Sequence, residues 1–426
     1  MSKEAGEKTS PECFNIWDKS VPVEKSSYLV ENTEYLNYEN LQKDKSKYTM
    51  IDLFCGAGGF AVGCGFAGFQ SVLGIDHFEP AMATWIHNHP HSFGCLGDIR
   101  SIAPEIVKEM LHNKGIDKIH LLTGGVPCQG FSRANRKHND LDERNFLFLE
   151  YMKYVKVFEP DYIILENVSG MRTTAGGKFE EDIIASMEEL GYTTTVKLIN
   201  AADFGVPQTR QRLVFVGVKQ NQGLCDKFIF PEGEYSNMNS FSIFNQGKKP
   251  YRTVADAISD LPALGNNECC STYLTPAKSE YQMLMRGNLG ELGITESQKL
   301  SNHIAPNHPA ETVEKIANTQ PGQPMYEKFK QRIRLKLDEP SPTQLAGGIR
   351  PQFQFGHPTQ PRGLTIRERA RIQSFPDSYE FLGGTVQERV QTGNAVPPLM
   401  IYAIAREIAK DLDRKYVQKG NYEHKS

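Results

Sequence analysis

The chain has 426 residues, of which 39% are hydrophobic and 23% charged, and its formal net charge is −3. This is the composition of a globular protein with room for two domains. We expect no membrane partner, because no apolar run of about eighteen residues occurs and the N-terminus lacks the apolar stretch of a signal peptide. We therefore expect a cytoplasmic protein. Its eight cysteines show no C-x-x-C spacing, so we expect neither a bound metal nor a disulfide framework.

The first half of the chain reads as an α/β domain. Residues 1–47 are polar and weakly periodic, which indicates a partly disordered extension. Short apolar runs then alternate with helical patterns, as in βα units on a mostly parallel sheet. The predicted strands are Met50–Phe54, Ser71–Asp76, His120–Thr123, Tyr162–Glu166, Thr195–Asn200 and Leu213–Val218, and the predicted helices are Pro104–His112, Asn145–Val157 and Lys178–Leu190.

The second half is less regular. From about Gln220 to Pro361 the sequence is rich in Asn, Gly, Pro and Ser, which predicts a loop-rich second domain. An Arg-rich helical stretch, Thr365–Ser374, follows it. Turn signals then occur in Gln391–Pro398, and an amphipathic helix is predicted near Leu399–Leu412. Ten Lys and Arg against four Asp and Glu occur from Tyr326 to Gln373, and this basic stretch is either a nucleic-acid contact or a solvated surface.

A glycine-rich loop follows the first predicted strand. Gly56, Gly58 and Ala61 match the fingerprint G-x-G-x-x-[GA], whose glycines let the backbone approach a nucleotide at a helix start. Asp76 lies twenty residues after Gly56, where an acid that binds ribose hydroxyls is expected. NAD and S-adenosylmethionine both carry that ribose, so both remain open, as does a merely tight turn. Asp98 could accept a hydrogen bond from an adenine amino group or cap a helix.

Three further side-chain groups lie at predicted strand ends. Cys128 follows a predicted strand and lies in a Gly- and Ser-rich loop. Most lone cysteines are buried, but a loop of this composition favours an exposed, reactive thiolate. A dehydrogenase would have no use for such a thiolate. Glu166 ends an apolar strand near the low-dielectric core, where its carboxyl group could stay protonated and act as a general acid. The alternative is a surface carboxylate that caps the next turn. Arg210 and Arg212 are two residues apart on an extended chain, so their side chains face the same side. Together they suit an anion or the carbonyl oxygen of a base. The alternative is that both lie on a solvated strand edge.

Taken in order, these segments resemble the motifs of the DNA (cytosine-5) methyltransferase family. The matching segments are Asp52–Phe60, Pro127-Cys128-Gln129, Glu166-Asn167-Val168, Gln208–Arg212, Arg367–Pro376 and Gly393-Asn394-Ala395-Val396-Pro397. The resemblance implies an α/β fold, with a Rossmann-like S-adenosylmethionine-dependent methyltransferase domain at residues 48–225 and 385–420. A smaller, irregular target-recognition domain with its hinge would occupy residues 226–384.

The resemblance also implies a role for each residue. Cys128 would add to C6 of a cytosine flipped out of duplex DNA, so that C5 can take the methyl group of S-adenosylmethionine. Glu166 would hydrogen-bond to N3 and the exocyclic amine, and Arg212 to O2, while Arg210 and Ser132 would lie near the nucleophile and the DNA backbone. The cofactor would be lined by Phe54, Gly56, Gly58, Gly59, Asp76, His77, Asp98, Ile99, Pro127, Asn394 and Val396. His77 replaces the larger aromatic residue that often follows the ribose-binding acid.

The recognition domain would read bases in the major groove, with Arg350, Gln352 and Gln354 as candidate readers. The compact length resembles that of prokaryotic modification enzymes, which implies a restriction-modification system with its cognate endonuclease, and a second methylase subunit is a further candidate partner. Two alternatives stay open: a transfer RNA methyltransferase, against which the long recognition insert argues, and a non-catalytic DNA-binding partner, against which the presence of Cys128 and Glu166 argues.

Overall fold

The computed structural model describes residues 48–126, 146–172, 178–238, 247–347 and 354–423. Its strands are β1 (Tyr48–Leu53), β2 (Phe69–Asp76), β3 (Phe93–Leu96), β4 (Leu121–Gly124), β5 (Tyr162–Val168), β6 (Tyr192–Asn200), β7 (Gln208–Thr209), β8 (Gln211–Lys219), β9 (Tyr235–Ser236), β10 (Lys249–Pro250) and β11 (Ser341–Pro342). Its α-helices are α1 (Gly59–Phe66), α2 (Glu79–Asn88), α3 (Pro104–Asn113), α4 (Phe146–Phe158), α5 (Lys178–Glu189), α6 (Val254–Ile258), α7 (Glu280–Arg286), α8 (Ala310–Asn318), α9 (Ile366–Ile372), α10 (Thr385–Asn394) and α11 (Pro398–Glu423).

A seven-stranded sheet in the order β3-β2-β1-β4-β5-β8-β6 forms the centre of the fold. The first five strands of that order pair in parallel, whereas β8 is antiparallel to both of its neighbours. The strand order reverses between β1 and β4. In doubly wound sheets the carboxyl ends of the strands at such a reversal border the ligand crevice. The topology therefore predicts a site beyond the ends of β1 and β4.

The central strands are mostly apolar because both faces of the sheet are covered. Along β1, Met50 enters the core cluster shared with α11, and the next residue, Ile51, enters the cluster shared with α3 and α4. Both side chains are fully buried. Continuous apolar runs of this kind are why the predicted strands were recognisable.

The predicted α/β architecture with a mostly parallel sheet is confirmed. Each of the six strands and three helices predicted for the first half of the chain has its counterpart, with ends that differ by at most three residues. The helix predicted near Leu399–Leu412 is longer, since α11 extends to Glu423. The prediction missed β3, which has only four residues and includes Gly94. A side chain at Gly94 would meet Ile86 of α2 at 2.2 Å, so this position is needed for close packing between strand and helix.

The region between β8 and α9 consists of short helices and two-residue strands. Several of its buried side chains, among them Val254, Tyr281 and Leu335, belong to the same core cluster as Met50 of β1. The region thus packs directly against one face of the sheet. The boundaries expected for a separate recognition domain stay a prediction.

The arginines at the C-terminal end of the basic stretch are buried, although both interpretations of its composition placed it at the surface. Helix α9 is buried along its whole length, including its three arginines. The Arg371 guanidinium pairs with Asp260 and Asp377, at 2.6 Å in each case. Just before the helix, Arg362 pairs with Glu368 at 2.7 Å. These arginines hold the interior together and are not available for DNA contacts.

The C-terminal part of the chain returns to the sheet. Helix α11 packs against α1, where Gly63 comes so close that a Cβ would lie 2.5 Å from the Pro398 carbonyl oxygen. The expected turn in Gln391–Pro398 is wrong at its start, because α10 continues to Asn394 and only Ala395–Pro397 form the connection to α11. In the described parts of the chain, no helix combines the length and apolarity needed to cross a membrane.

Candidate active site at the carboxyl edge of the sheet

A cavity of about 610 Å³ opens at the predicted edge. Its size lies in the range of pockets that hold small organic ligands. Its walls come from the loops after β1, β2 and β4, from the last residues of β5, from Arg210 before β8 and Arg212 on it, and from two segments of the second half of the chain. The lining residues include Phe54, Gly56, Gly59, Asp76, His77, Val126, Glu166, Arg210, Arg212, Gln344, Leu345, Gln391, Asn394 and Val396.

The glycine loop forms one end of the cavity. Phe54, Gly56 and Gly58 all have positive φ, at 54°, 51° and 84°. Phe54 is the costly one of the three, because a non-glycine residue in this region stores strain, which is typical of functional loops. The position of a Cβ on Gly56 meets no atom within 4 Å. The backbone at Gly56 is therefore open to a ligand.

Asp76 ties this loop to β2. Its two carboxylate oxygens accept hydrogen bonds from the backbone N–H groups of Gly56 and Phe78, each at 2.8 Å. Each oxygen keeps lone-pair capacity for a further donor, and the carboxylate faces the cavity. The neighbouring His77 side chain is 76% exposed and lies 3.6 Å from the same carboxylate. This geometry is what the ribose-binding expectation for Asp76 requires.

Two expected cofactor glycines act at least partly through packing. Gly58 does not line the cavity, and a Cβ there would lie 2.6 Å from the Tyr379 hydroxyl oxygen. A Cβ on Gly59 would lie 2.2 Å from the Val396 carbonyl oxygen. Gly59 thus brings the Gly-Asn-Ala-Val-Pro segment against the glycine loop, and Asn394 and Val396 of that segment line the cavity. Their contact with the cofactor stays a prediction.

Asp98 and Ile99 are not brought to the cavity. The Asp98 carboxylate caps the 3-10 turn Ile99–Ser101 and pairs with Arg100 at 2.6 Å. The Arg100 hydrogen bond lowers the pKa of Asp98 below its usual value. Ile99 is buried in the core. The helix-cap alternative weighed for Asp98 is confirmed, and its contact with an adenine stays a prediction.

The opposite end of the cavity holds a carboxylate and two arginines. Glu166 on β5 and Arg212 on β8 are near neighbours across the antiparallel pair, since Val168 lies opposite Arg212. Their side chains form an ion pair of 2.6 Å, with only 10% and 12% of each exposed. Both side chains were predicted to meet at this edge, and the structure brings them together. The pair presents an acceptor and a set of donors to one small volume.

Arg210 lies beside this pair and is 2% exposed. It donates to the carbonyl oxygens of Gln344 at 2.9 Å and Gly393 at 3.0 Å, while its Nε has no partner among the described residues. Burial lowers the pKa of this guanidinium well below its usual value, and the Arg212 charge adds to the effect. Arg210 and Arg212 thus share the cavity, as their alternation predicted.

A segment that the sequence did not single out, Thr343–Gly347, closes one side of the cavity and is called the strap below. Besides Arg210, the buried Arg369 holds it by donating to the Leu345 carbonyl oxygen at 3.0 Å. The strap leaves the Leu345 side chain 48% exposed in the cavity wall. Its position depends on contacts between residues far apart in the chain, which no local pattern encodes.

Gln354, a predicted base reader, is engaged elsewhere. Its amide accepts from the Leu345 N–H at 2.8 Å and donates to the Thr343 carbonyl oxygen at 3.0 Å. Both ends of the amide are therefore used by the strap. Gln354 thus supports the cavity wall, and its role as a base reader stays a prediction.

Five predicted site residues, Pro127, Cys128, Ser132, Arg350 and Gln352, lie outside the described residues. The chain leading to Cys128 is described as far as Val126, which lines the cavity. The Val126 carbonyl oxygen accepts a hydrogen bond from the Asn167 side chain at 3.2 Å. This contact joins the loop after β4 to Glu166 and its neighbours. Within the described ranges, no group of three His, Cys, Asp or Glu residues could hold a metal ion.

Comparison with known proteins gives a family match. The family model described as C-5 cytosine-specific DNA methylase matches residues 48–410. The chain is 32% identical over 423 residues to the Type II methyltransferase M.AgeI of Thalassovita gelatinovora, covering 84% of this chain and 98% of that protein. It is 33% identical over 374 residues to the Type II methyltransferase M1.HphI of Haemophilus parahaemolyticus, covering 85% and 87%.

Solved structures agree on the fold. A DNA modification methyltransferase encoded within an E. coli prophage superposes with a TM-score of 0.67 at 24% identity, covering 86% of this chain and all of that one. The S. pombe Dnmt2 methyltransferase superposes with a TM-score of 0.52 at 16% identity, covering 86% and 98%. At these identities the likeness shows a shared fold.

Proposed function

The chain belongs to the C-5 cytosine-specific DNA methylase family, and from that membership we propose how this DNA (cytosine-5-)-methyltransferase works. It transfers a methyl group from S-adenosylmethionine to C5 of a cytosine flipped out of duplex DNA, through a covalent bond between Cys128 and C6. The observation that carries the proposal is one cavity with a carboxylate-anchored glycine loop at one end and the Glu166–Arg212 pair at the other.

The glycine-loop end fits S-adenosylmethionine. Gly56 leaves open space for a ligand, and the Asp76 carboxylate can accept hydrogen bonds from the two ribose hydroxyls. Asn394 and Val396 complete this wall. When bound, the cofactor would supply an electrophilic methyl group on a sulfonium. The protein's part is to hold the adenosine at this end so that the methyl group faces the other end.

The opposite end fits a cytosine ring. Arg212 donors would hold O2, and the Glu166 carboxyl group would meet N3 and the exocyclic amine, with a proton shared between Glu166 and N3. Both side chains are largely buried, so these interactions act in a low-dielectric site and stabilise charge that develops on the ring. Arg210 adds a fixed positive charge nearby.

The proposed reaction uses one protein nucleophile, Cys128. The Cys128 thiolate adds to C6, which makes C5 nucleophilic. C5 then takes the methyl group as the methyl–sulfur bond breaks, and the electron pair of that bond stays on the sulfur of the departing thioether. The proton on C5 leaves to a base, a role that water can fill, and the electrons of that bond expel Cys128 from C6. Because stacked neighbours cover the face that Cys128 must attack, the cytosine is first flipped, at a cost of a few kcal/mol.

The relatives M.AgeI and M1.HphI are named Type II methyltransferases. We propose that this chain likewise protects DNA in a restriction-modification system, beside a cognate endonuclease. A second methylase subunit is a further candidate partner in the same system.

Trapping on 5-fluorocytosine tests the proposal without knowledge of the recognition site. Fluorine cannot leave C5 as a cation, so the adduct persists after methylation. A random-sequence duplex containing 5-fluorocytosine should form a complex that resists denaturant in the presence of S-adenosylmethionine. The Cys128→Ala variant should form none while its affinity for S-adenosylmethionine stays within a few-fold.

The controls separate the alternatives. Transfer RNA containing 5-fluorocytidine, assayed in parallel, tests the RNA substrate, and the proposal requires that it trap little enzyme. Absence of a DNA adduct with the cofactor present, or an undiminished adduct with Cys128→Ala, would rule the mechanism out.

A further inference from the structure

A tyrosine from the far end of the chain holds the glycine loop. The Tyr379 hydroxyl donates a hydrogen bond of 2.6 Å to the backbone carbonyl oxygen of Ala57, 322 residues earlier. Ala57 lies in the middle of the loop and is 2% exposed. Tyr379 does not itself line the cavity. Whatever it contributes to ligand binding must therefore act through the loop.

The loop and the hydroxyl are fitted to each other. A Cβ on Gly58 would lie 2.6 Å from the hydroxyl oxygen and 3.0 Å from the Trp85 ring. Gly58 also has a φ of 84°, which side-chain-bearing residues rarely adopt. Gly58 therefore allows the close approach by which the hydroxyl reaches the Ala57 carbonyl.

The same segment also holds the wall beyond Asp76. The Asn88 side chain of α2 donates to the Glu380 carbonyl oxygen at 2.8 Å and accepts from its N–H at 3.0 Å. The Thr84 hydroxyl accepts from the Leu382 N–H at 2.8 Å. Helix α2 starts three residues after Asp76. Residues 379–382 thus fix the glycine loop and the start of α2 relative to each other.

We propose that Tyr379 is a positioning residue for the methyl donor, and that its hydroxyl sets the shape of the glycine loop that receives the adenosine end. The inference rests on the proposed function, since it assumes that the loop binds S-adenosylmethionine. Its physical reason is that Phe54, Gly56 and Gly58 all hold positive φ. A backbone strained in this way persists only where its surroundings fix it. The buried Ala57 carbonyl needs a donor, and Tyr379 supplies it.

The Tyr379→Phe variant tests this. The ring keeps its contacts with Phe375 and Phe381, whose centroids lie 5.0 and 5.6 Å away, so the variant should fold. Calorimetry should show a Kd for S-adenosylmethionine raised roughly 5-fold, the effect of about one lost hydrogen bond. KM for the cofactor should rise by a similar factor, while kcat at saturating cofactor stays within about 2-fold, because the base end of the cavity is untouched.

Tyr192→Phe is the matched control. Tyr192 is also buried, and its hydroxyl also donates a single hydrogen bond, of 2.7 Å, to a carbonyl oxygen, that of Pro160 before β5 at the opposite edge of the sheet. If Tyr379 acted only on stability, both variants should lower the Tm by similar amounts, and neither should change the Kd for S-adenosylmethionine. An unchanged Kd in Tyr379→Phe would overturn the inference, whereas a wild-type protein that does not bind S-adenosylmethionine would overturn the proposed function instead.

A double-mutant cycle checks the fit between the two residues. Gly58→Ala should weaken cofactor binding strongly in the wild type, through backbone strain and contact with the hydroxyl. In the Tyr379→Phe background the contact is gone, so the same substitution should cost less. Additive effects of the two substitutions would contradict the fit described above.

Discussion

Replacing Arg371 by methionine separates a structural role for the basic stretch from a DNA-binding one. Methionine keeps much of the side-chain volume but removes the charge. The guanidinium is fully buried and donates to both oxygens of Asp377, at 2.8 and 2.6 Å, and to Asp260 at 2.6 Å. A DNA contact would have to be exposed, so the two roles predict different measurements.

The size of the effect follows from what the two carboxylates retain. Asp260 would keep its pair with Arg286 at 2.5 Å, and Asp377 would keep the Tyr273 hydroxyl at 2.7 Å. Removing one partner of a buried ion pair costs about 3–5 kcal/mol. Because both acids keep a donor, we expect about 3 kcal/mol, a large part of a typical folding free energy of about 5–15 kcal/mol.

Urea unfolding followed by circular dichroism measures this loss. With a slope of about 3 kcal/mol per molar urea, the midpoint should fall by about 1 M. Lys330→Met is the control, since Lys330 belongs to the same stretch but is exposed. It should leave the midpoint unchanged. The reasoning is refuted if Arg371→Met keeps the wild-type midpoint and instead reduces the salt dependence of DNA binding by about one ion, as loss of a phosphate contact would.

Two further outcomes test single carboxylates. Burial raises the pKa of Glu388 to about 7, and the hydrogen bond from Asn302 only partly offsets this rise. Between the ordinary glutamate pKa of about 4.3 and a pH of about 7, the folded state therefore holds a proton that the unfolded chain has lost. The free energy of unfolding should fall as the pH rises through this range. Urea midpoints at about pH 5 and about pH 8 should therefore converge in Glu388→Gln, and an unchanged decline would show that this group is not responsible. Asp76→Asn should raise the Kd for S-adenosylmethionine at least about 10-fold, because an amide cannot accept from both Gly56 and Phe78; an unchanged Kd in calorimetry would remove Asp76 from the cofactor site.

The sheet was predictable because its physical cause is local. Strands covered on both faces are continuous apolar runs, and β1, β4 and β5 are of this kind. Strand β3 was missed because four residues that include a glycine give no such run. The carboxyl ends of parallel strands meet at one edge, so the shared location of Asp76 and Glu166 also followed from the sequence. Arg212, at the amino end of β8, reaches the same edge because β8 runs antiparallel, which the sequence did not predict. The roles of Cys128, Arg350 and Gln352 stay predictions.

The features that sequence did not yield depend on contacts between distant residues. From its composition, α9 was predicted to be an Arg-rich helix. Its burial depends on acids elsewhere in the chain, such as Asp260, which pairs with Arg371 and lies 111 residues before it. The strap is likewise positioned by Arg210, 134 residues before Gln344. A charge count treats each residue alone, whereas burial pairs it with partners that the chain brings from elsewhere.

The glycine fingerprint shows how one motif can combine two physical requirements. Gly56 leaves open space toward the cavity, so its lack of a side chain serves a ligand. Gly58 lies outside the cavity wall and accommodates the Tyr379 hydroxyl, so its lack of a side chain serves a contact between two parts of the protein. The spacing G-x-G would look the same if either requirement acted alone. A motif match therefore locates a binding loop, but the atoms around each glycine decide which of its residues the ligand touches.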